Sequence, residues 1–199
     1  MKWNYIDIRK MTEEEYQKEF SLMTFQRQER VNRYRFIEDR KRSVAGEILA
    51  RKMVSGFCGV NPESIFFETG KYGKPYAKDL PVEFSISHSG DFAVCAVSDS
   101  KIGIDIEKIR PVDLKIAKRI CTEKELLYIF GTIPKESDFC ITEDISVLTR
   151  FFHVWTKKEA YSKYLGNAFV NSETDMHENI PFLFQNEYII AVYPHPVIT

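Results

Sequence analysis

Along this chain, stretches in which apolar and polar residues alternate are interspersed with stretches in which apolar residues recur every three or four positions. WNYIDI (3–8) alternates and predicts a first strand. Thr12 followed by Glu15 offers a capping box that opens a short helix to about Leu22. A basic helical region comes next, and over 43–57 the residues Val44, Ile48, Leu49, Met53 and Phe57 keep helical spacing, so this helix should pack on a sheet. Asn61-Pro62 breaks the pattern, IFFET (65–69) reads as a strand and GKYGKP (70–75) as turn material. The apolar runs 82–87 and 92–98, joined by His88, Ser89, Gly90 and Asp91, predict a hairpin. KIGIDIEKI (101–109) alternates strictly until Pro111 ends it. Thr122 and Glu125 form a second capping box, for a helix to about Phe130. GTIPKESD (131–138) is a loop, one long helix fits 143–165, and FLFQNEYIIAVY (182–193) holds one or two strands. There is no GxGxxG or Walker loop. The class is α+β, in two similar halves meeting near residue 100, although no internal sequence repeat is evident.

Chemistry enters with two acids on one strand. Residues i and i+2 of a strand share a face, with about 6.6–6.8 Å between their Cα atoms. The isoleucines at 102, 104 and 106 take the core face, so Asp105 and Glu107 share the opposite one. A short and a long carboxylate so spaced can converge on a hard cation, although alternating strands also expose acids to plain solvent. The long helix adds a third acid. Ile145, Leu148, Phe152 and Trp155 step along its core stripe, and Glu159 is the next position in that progression. An ionised carboxylate on an apolar face needs a partner. Lys163, one turn further, could be that partner in an ordinary helix ion pair worth about 0.2–0.5 kcal/mol. Three carboxylates and a lysine would also suit a metal-bridged pyrophosphate, and spacing alone leaves the reaction open.

Composition narrows little. With 199 residues, 44% of them hydrophobic and a net charge of −1, the chain can bury a real core, and its bulk charge argues neither for nor against a polyanion. Local charge says more, because RQERVNRYRFIEDRKR (27–42) crowds cations into one segment that suits a polyanionic ligand or forms a solvated helix face. Cys58, Cys95, Cys121 and Cys140 form no CxxC pair, so neither zinc nor a disulfide framework is expected, and Cys95 inside FAVCAV should be a buried thiol. With no h-region at the start and no apolar run of about 18 residues, the chain reads as cytoplasmic.

Three segments, FSISHSG (84–90), GIDIEKIRP (103–111) and WTKKEAYSKYLG (155–166), occur in an order and at separations that resemble the 4′-phosphopantetheinyl transferases, specifically the monomeric two-lobed type serving peptide and polyketide synthetases. YGKP (72–75) and EDRKRS (38–43) match upstream parts of the same pattern, so the resemblance runs over about residues 25–169. It implies two similar α/β lobes related by pseudo-two-fold symmetry with the active site between them. Residues 1–100 would contact the adenine and 3′-phosphate of coenzyme A, and residues 101–199 would carry the metal ligands and catalytic helix. It further implies that Asp105, Glu107 and Glu159 ligate Mg²⁺, with Mn²⁺ equally compatible with oxygen ligands, and that Lys163 binds pyrophosphate. Tyr72, Gly73, Lys74, Pro75 and Ser87 would hold the adenine end, and Arg27, Arg30, Ser43 and His88 the 3′-phosphate. Arg27 and Arg30, three apart, share a helix face and could form a phosphate clamp. Lys158 would either contact phosphate or sit in solvent.

The implied reaction is transfer of 4′-phosphopantetheine from coenzyme A to a serine of an apo acyl or peptidyl carrier protein, releasing adenosine 3′,5′-bisphosphate. Glu159, or a water beside it, would be the general base. The implied partners are coenzyme A and the carrier, with neither nucleic acid nor membrane, and the two-lobed type implies a monomer. Two departures stand out. GNAF (166–169) has Ala168 where the family often has a second glycine, and the link around 131–145, where the family meets its carrier, carries extra residues. A non-catalytic coenzyme A-binding module and a Mg²⁺-dependent pyrophosphatase or phosphodiesterase are the competing classes.

Overall fold

The computed structural model describes residues 1–167 and 181–194. The chain divides into two compact units, Met1–Ile102 and Gly103–Thr199.

In the first unit, strand β1 (Lys2–Asp7) leads through a 3₁₀ turn to helix α1 (Glu13–Ser21). The expected capping box is present: Thr12 Oγ1 accepts from the Glu15 N–H at 3.1 Å, and the Thr12 N–H donates to Glu15 Oε2 at 2.9 Å. The basic region is helical in two pieces, α2 (Phe25–Asn32), capped by Thr24, and the start of α3 (Ile37–Cys58). Helix α3 therefore begins seven residues before Val44, where its apolar periodicity starts, and Gly59, left-handed at φ 69°, ends it. Strands β2 (Phe67–Thr69) and β3 (Pro75–Ala77) make a small antiparallel pair.

Strands β4 (Glu83–Ser89) and β5 (Phe92–Ser98) form the expected hairpin, but Ser89 faces Phe92. The turn is thus the two residues Gly90 and Asp91, with Gly90 at φ 53°, and His88 belongs to the strand. The sheet order is β1-β5-β4 with every pair antiparallel. Strand β5 is buried along its whole length, Cys95 included, because α3 covers the sheet. Val44, Ile48, Leu49 and Val54 of α3 are buried, while Met53 and Phe57 are half-buried. Each wholly buried aliphatic side chain contributes about 1.5–3 kcal/mol over an exposed one.

The second unit opens with β6 (Gly103–Lys108) and β7 (Val112–Asp113), then α4 (Ala117–Ile120) and α5 (Glu123–Phe130), the latter begun by the Thr122–Glu125 capping box. The long link contains a 3₁₀ turn (Glu136–Asp138) and β8 (Ile141–Thr142), which pairs with β7. Helix α6 (Ile145–Leu165) starts at Asp144, whose Oδ1 accepts from the Ser146 and Val147 N–H groups, and stops at Gly166. The tail supplies β9 (Phe182–Phe184) and β10 (Tyr188–Tyr193). The sheet order is β6-β10-β9, again antiparallel, with β10 buried throughout. Leu148, Phe151 and Phe152 of α6 pack with Leu114, Ile129 and Ile189.

Each unit, taken by itself, thus lays one long helix on a three-stranded antiparallel sheet with its middle strand buried, the expected α+β class in two similar halves. No helix among the described residues is long and apolar enough to cross a membrane.

Candidate active site

Strand β6 meets α6 at very close range. A Cβ built on Gly103 would lie 2.0 Å from the Ala160 carbonyl oxygen and 2.5 Å from the Tyr164 nitrogen, so glycine alone lets strand and helix backbones approach this far. Gly103, Asp105 and Glu107 share a strand face, and that face therefore looks toward α6. The alternation was read correctly, but its consequence differs. The acids do not face open solvent: Asp105 is 4% exposed, and Ile104 and Ile106 on the other face are buried as well.

Helix α6 brings Lys163 onto this strand. Its Nζ donates to Asp105 Oδ1 at 2.6 Å, a charge-assisted bond between residues 58 apart in sequence. Glu107 is paired differently, with Arg110 Nη1 3.2 Å from its Oε2. Glu159, one helical turn before Lys163, is half-buried. Burial first, then the charge of Asp105, holds its carboxyl above the usual range; Lys163 opposes this, and Glu107 adds to it. The three acids and the lysine consequently sense one another within one unit.

Hard oxygen donors of this kind suit Mg²⁺ or Mn²⁺. Among the described residues no three His, Cys, Asp or Glu side chains stand grouped as a metal site in the metal-free chain. Two of the acids are paired with cations of the chain itself, Asp105 with Lys163 and Glu107 with Arg110.

The α6 stripe is also corrected at its ends. Leu148 and Phe152 lie in the core and Trp155 is half-buried, but Ile145 is 66% exposed in the first turn. Lys158, expected to contact phosphate or sit in solvent, does not sit in solvent. It is fully buried, with Nζ 3.0 Å from Glu125 Oε2, and Glu125 is itself 1% exposed. The same Glu125 oxygen accepts the Thr122 N–H at 2.8 Å, so the cap of α5 and the ion pair to α6 are one network. Pattern reading found Glu125 as a cap and missed its second role, since nothing local in the sequence marks the partner.

In the first unit, α2 and α3 bring Arg27 and Ser43 together: Arg27 Nη2 donates to Ser43 Oγ at 2.9 Å. The guanidinium is also held by Glu47, 2.9 Å from its Nε, and Glu47 in turn reaches Arg51 at 3.4 Å. Arg30 is exposed. Arg42, which sequence reasoning passed over, donates to the Gly90 carbonyl at 2.6 Å and pairs with Asp39, tying α3 to the turn that follows His88. His88 is exposed and Ser87 is buried. Tyr72, Gly73, Lys74 and Pro75 form the β2–β3 turn, with Gly73 at φ 86° and Tyr72 54% exposed. Lys74 Nζ reaches the Ile102 carbonyl at 3.0 Å and Glu83 at 3.4 Å; burial lowers its pKa, partly offset by Glu83.

Residues 10–100 match the family model described as 4′-phosphopantetheinyl transferase, N-terminal, and residues 101–194 match that of the 4′-phosphopantetheinyl transferase superfamily. Over 165 residues the chain is 34% identical to the 4′-phosphopantetheinyl transferase Sfp of Bacillus subtilis, covering 82% of this chain and 69% of that protein. The chain belongs to the 4′-phosphopantetheinyl transferase family. Further family members similar to it are the transferase gsp of Aneurinibacillus migulanus, 36% identical over 72% of this chain and 56% of its own length, and the L-aminoadipate-semialdehyde dehydrogenase-phosphopantetheinyl transferase of Mus musculus, 32% identical over 69% and 46%. The chain therefore spans between about half and two thirds of the length of these relatives. The region matching the superfamily model contains Asp105, Glu107, Glu159 and Lys163, and the region matching the N-terminal model contains every coenzyme A residue expected before position 100. Ala168 and Phe169, the departure from the family turn, lie outside the described residues.

Proposed function

We propose that this protein transfers 4′-phosphopantetheine from coenzyme A to a serine of an apo acyl or peptidyl carrier protein. The observation that supports this most is the pairing of Lys163 with Asp105 beside Glu159, on the two elements that carry the family's GIDIE and WTKKEA segments. In the proposed reaction the serine Oγ attacks the β-phosphorus of coenzyme A. The bond from that phosphorus to the bridging oxygen breaks, and adenosine 3′,5′-bisphosphate leaves.

Asp105, Glu107 and Glu159 are the residues that would hold Mg²⁺ or Mn²⁺. Such an ion, when bound, supplies charge neutralisation on the leaving phosphate. Lys163 would add positive charge at the pyrophosphate. Glu159, its carboxyl held above the usual range by burial and by Asp105, is the best-suited acceptor for the serine proton, because a base works best with a pKa near the operating pH. Arg27, Arg30, Ser43 and His88 would bind the 3′-phosphate, and Tyr72 to Pro75 with Ser87 the adenine end. Lys158 is left out of this set, because its ammonium is sealed against Glu125.

Incubation with coenzyme A, Mg²⁺ and a panel of apo carriers tests the reading by mass spectrometry of the carrier. A gain equal to one phosphopantetheine is expected. Coenzyme A binding with no gain on any carrier would instead indicate a binding module, and coenzyme A cleavage without a carrier would indicate a hydrolase.

A further inference from the structure

We propose that Lys163 is an internal counter-cation of the metal site: it holds Asp105 while the metal is absent and passes to the pyrophosphate of coenzyme A when the metal takes that carboxylate. Metal and pyrophosphate would then bind with positive coupling. This role rests on the assignment of Asp105, Glu107 and Glu159 as metal ligands given above.

The geometry carries the argument. Lys163 Nζ lies 2.6 Å from Asp105 Oδ1, and the Asp105 side chain is only 6% exposed. A Mg²⁺ ligand oxygen sits about 2.0–2.1 Å from the ion, so an ammonium hydrogen-bonded to the same oxygen would crowd a second positive charge against it. The pair is also not a solvated surface pair. Removing the lysine takes a close cation from a nearly buried carboxylate, which costs more than breaking a solvated surface pair.

Each ligand relieves what the other must overcome. A metal ion at Asp105 compensates the carboxylate but displaces the ammonium, and a pyrophosphate gives that ammonium a partner with more negative charge than it left. Lys163 can make the exchange without moving α6, because its four-carbon stem is flexible and 26% of the side chain already reaches solvent. Two ligands that share one displaced group in this way must raise each other's affinity by the same factor. Arg110 provides the contrast. It is 3.2 Å from Glu107 but 54% exposed, so its release into water costs little.

Isothermal titration calorimetry of Mg²⁺ into the full chain, without and with saturating coenzyme A, tests the proposal. The wild type should bind Mg²⁺ weakly alone and at least about tenfold more tightly with coenzyme A, a coupling of about 1.4 kcal/mol. Lys163→Met should bind Mg²⁺ alone about fivefold or more tightly than the wild type. Its coupling should fall to the magnesium–coenzyme A association measured in free solution. Lys163→Arg should keep the wild-type pattern, and Arg110→Met should change either affinity less than twofold. Lys163→Met binding Mg²⁺ no more tightly than the wild type, or keeping its coupling, overturns the proposal.

The wild type alone gives a second arm that needs no variant to fold. Adenosine 3′,5′-bisphosphate, which lacks the pyrophosphate linkage, should not raise Mg²⁺ affinity as coenzyme A does, and equal coupling by both overturns the proposal. Carrier modification with no such coupling removes this role and leaves the proposed function standing. Absence of Mg²⁺ binding to every protein, with and without coenzyme A, removes the metal assignment and this role together, while the carrier mass assay still decides the activity.

Discussion

Replacing Gly103 by alanine places a methyl carbon where two backbone atoms of α6 already stand, 2.0 Å from the Ala160 oxygen and 2.5 Å from the Tyr164 nitrogen. Carbon–oxygen contacts of this kind settle at about 3.3–3.6 Å, so α6 and β6 must separate by roughly 1.3 Å or more. No side chain can rotate away to relieve the clash, because both obstacles are main chain. Forcing extra atoms into a packed interface costs about 1–3 kcal/mol, and this contact should fall at the upper end. For a chain of this size that lowers Tm by about 4–12 °C.

The functional cost should be larger than the thermal one. Asp105 lies two residues after Gly103 on the strand, and Glu159 and Lys163 each sit one residue before an atom being pushed. A misplacement of about 1 Å between reacting groups can cost about 10²-fold in rate. Differential scanning fluorimetry and single-turnover carrier modification, the latter at a temperature where the variant is fully folded, measure the two effects. Because the obstruction is the main chain, adding Ala160→Gly should rescue neither. A Gly103→Ala protein with unchanged Tm and rate would refute the claim that this close approach positions the site.

Three other outcomes follow from the ion pairs. Glu159 has a folded-state pKa above its ordinary value, so the folded protein binds more protons than the unfolded one and loses stability as pH rises from about 4.5 through the folded pKa. Without divalent metal, Glu159→Gln should therefore flatten this pH dependence and be more stable than the wild type at pH 8 in urea titrations, while abolishing transfer; a less stable variant there would contradict the electrostatic account. Glu125→Gln and Lys158→Met should each cost about 3–5 kcal/mol by breaking a buried pair, and Glu125→Leu with Lys158→Met should recover much of that loss. Additive losses in the double variant would argue against the pairing. Arg30→Ala should raise KM for coenzyme A far more than for 3′-dephospho-coenzyme A, and equal effects would remove Arg30 from the phosphate contacts.

What could be read from the sequence was mainly what local chemistry decides. Thr12 with Glu15 and Thr122 with Glu125 announce helix starts because a cap and its partner are three residues apart. The alternation of β6 fixed which residues share a face, and the helix phase placed Glu159 near Lys163. Which face of β6 would meet α6 was not legible, because that depends on a glycine contact made only after the chain has folded back. The same holds for Lys158. Its neighbours in sequence are equally polar, and only the tertiary position of Glu125 makes its burial tolerable. Ile145 failed for the opposite reason: it keeps the helical period, but the first turn of α6 extends past the core it would have joined.

The buried Cys95 at the middle of β5 has a practical use, since burial pushes its thiol far above the ordinary range and only the thiolate reacts readily with alkylating reagents. In the other unit, Cys121 is pushed up to about 12, first by burial and then by Glu125, whereas Cys140 is exposed. A thiol-labelling time course followed by peptide mapping would therefore see Cys140 react at once. Cys95 would react only when the sheet of the first unit opens, and Cys121 when the network around Glu125 opens. The native cysteines thus allow the opening free energies of the two units to be measured separately, in one experiment and without engineered probes.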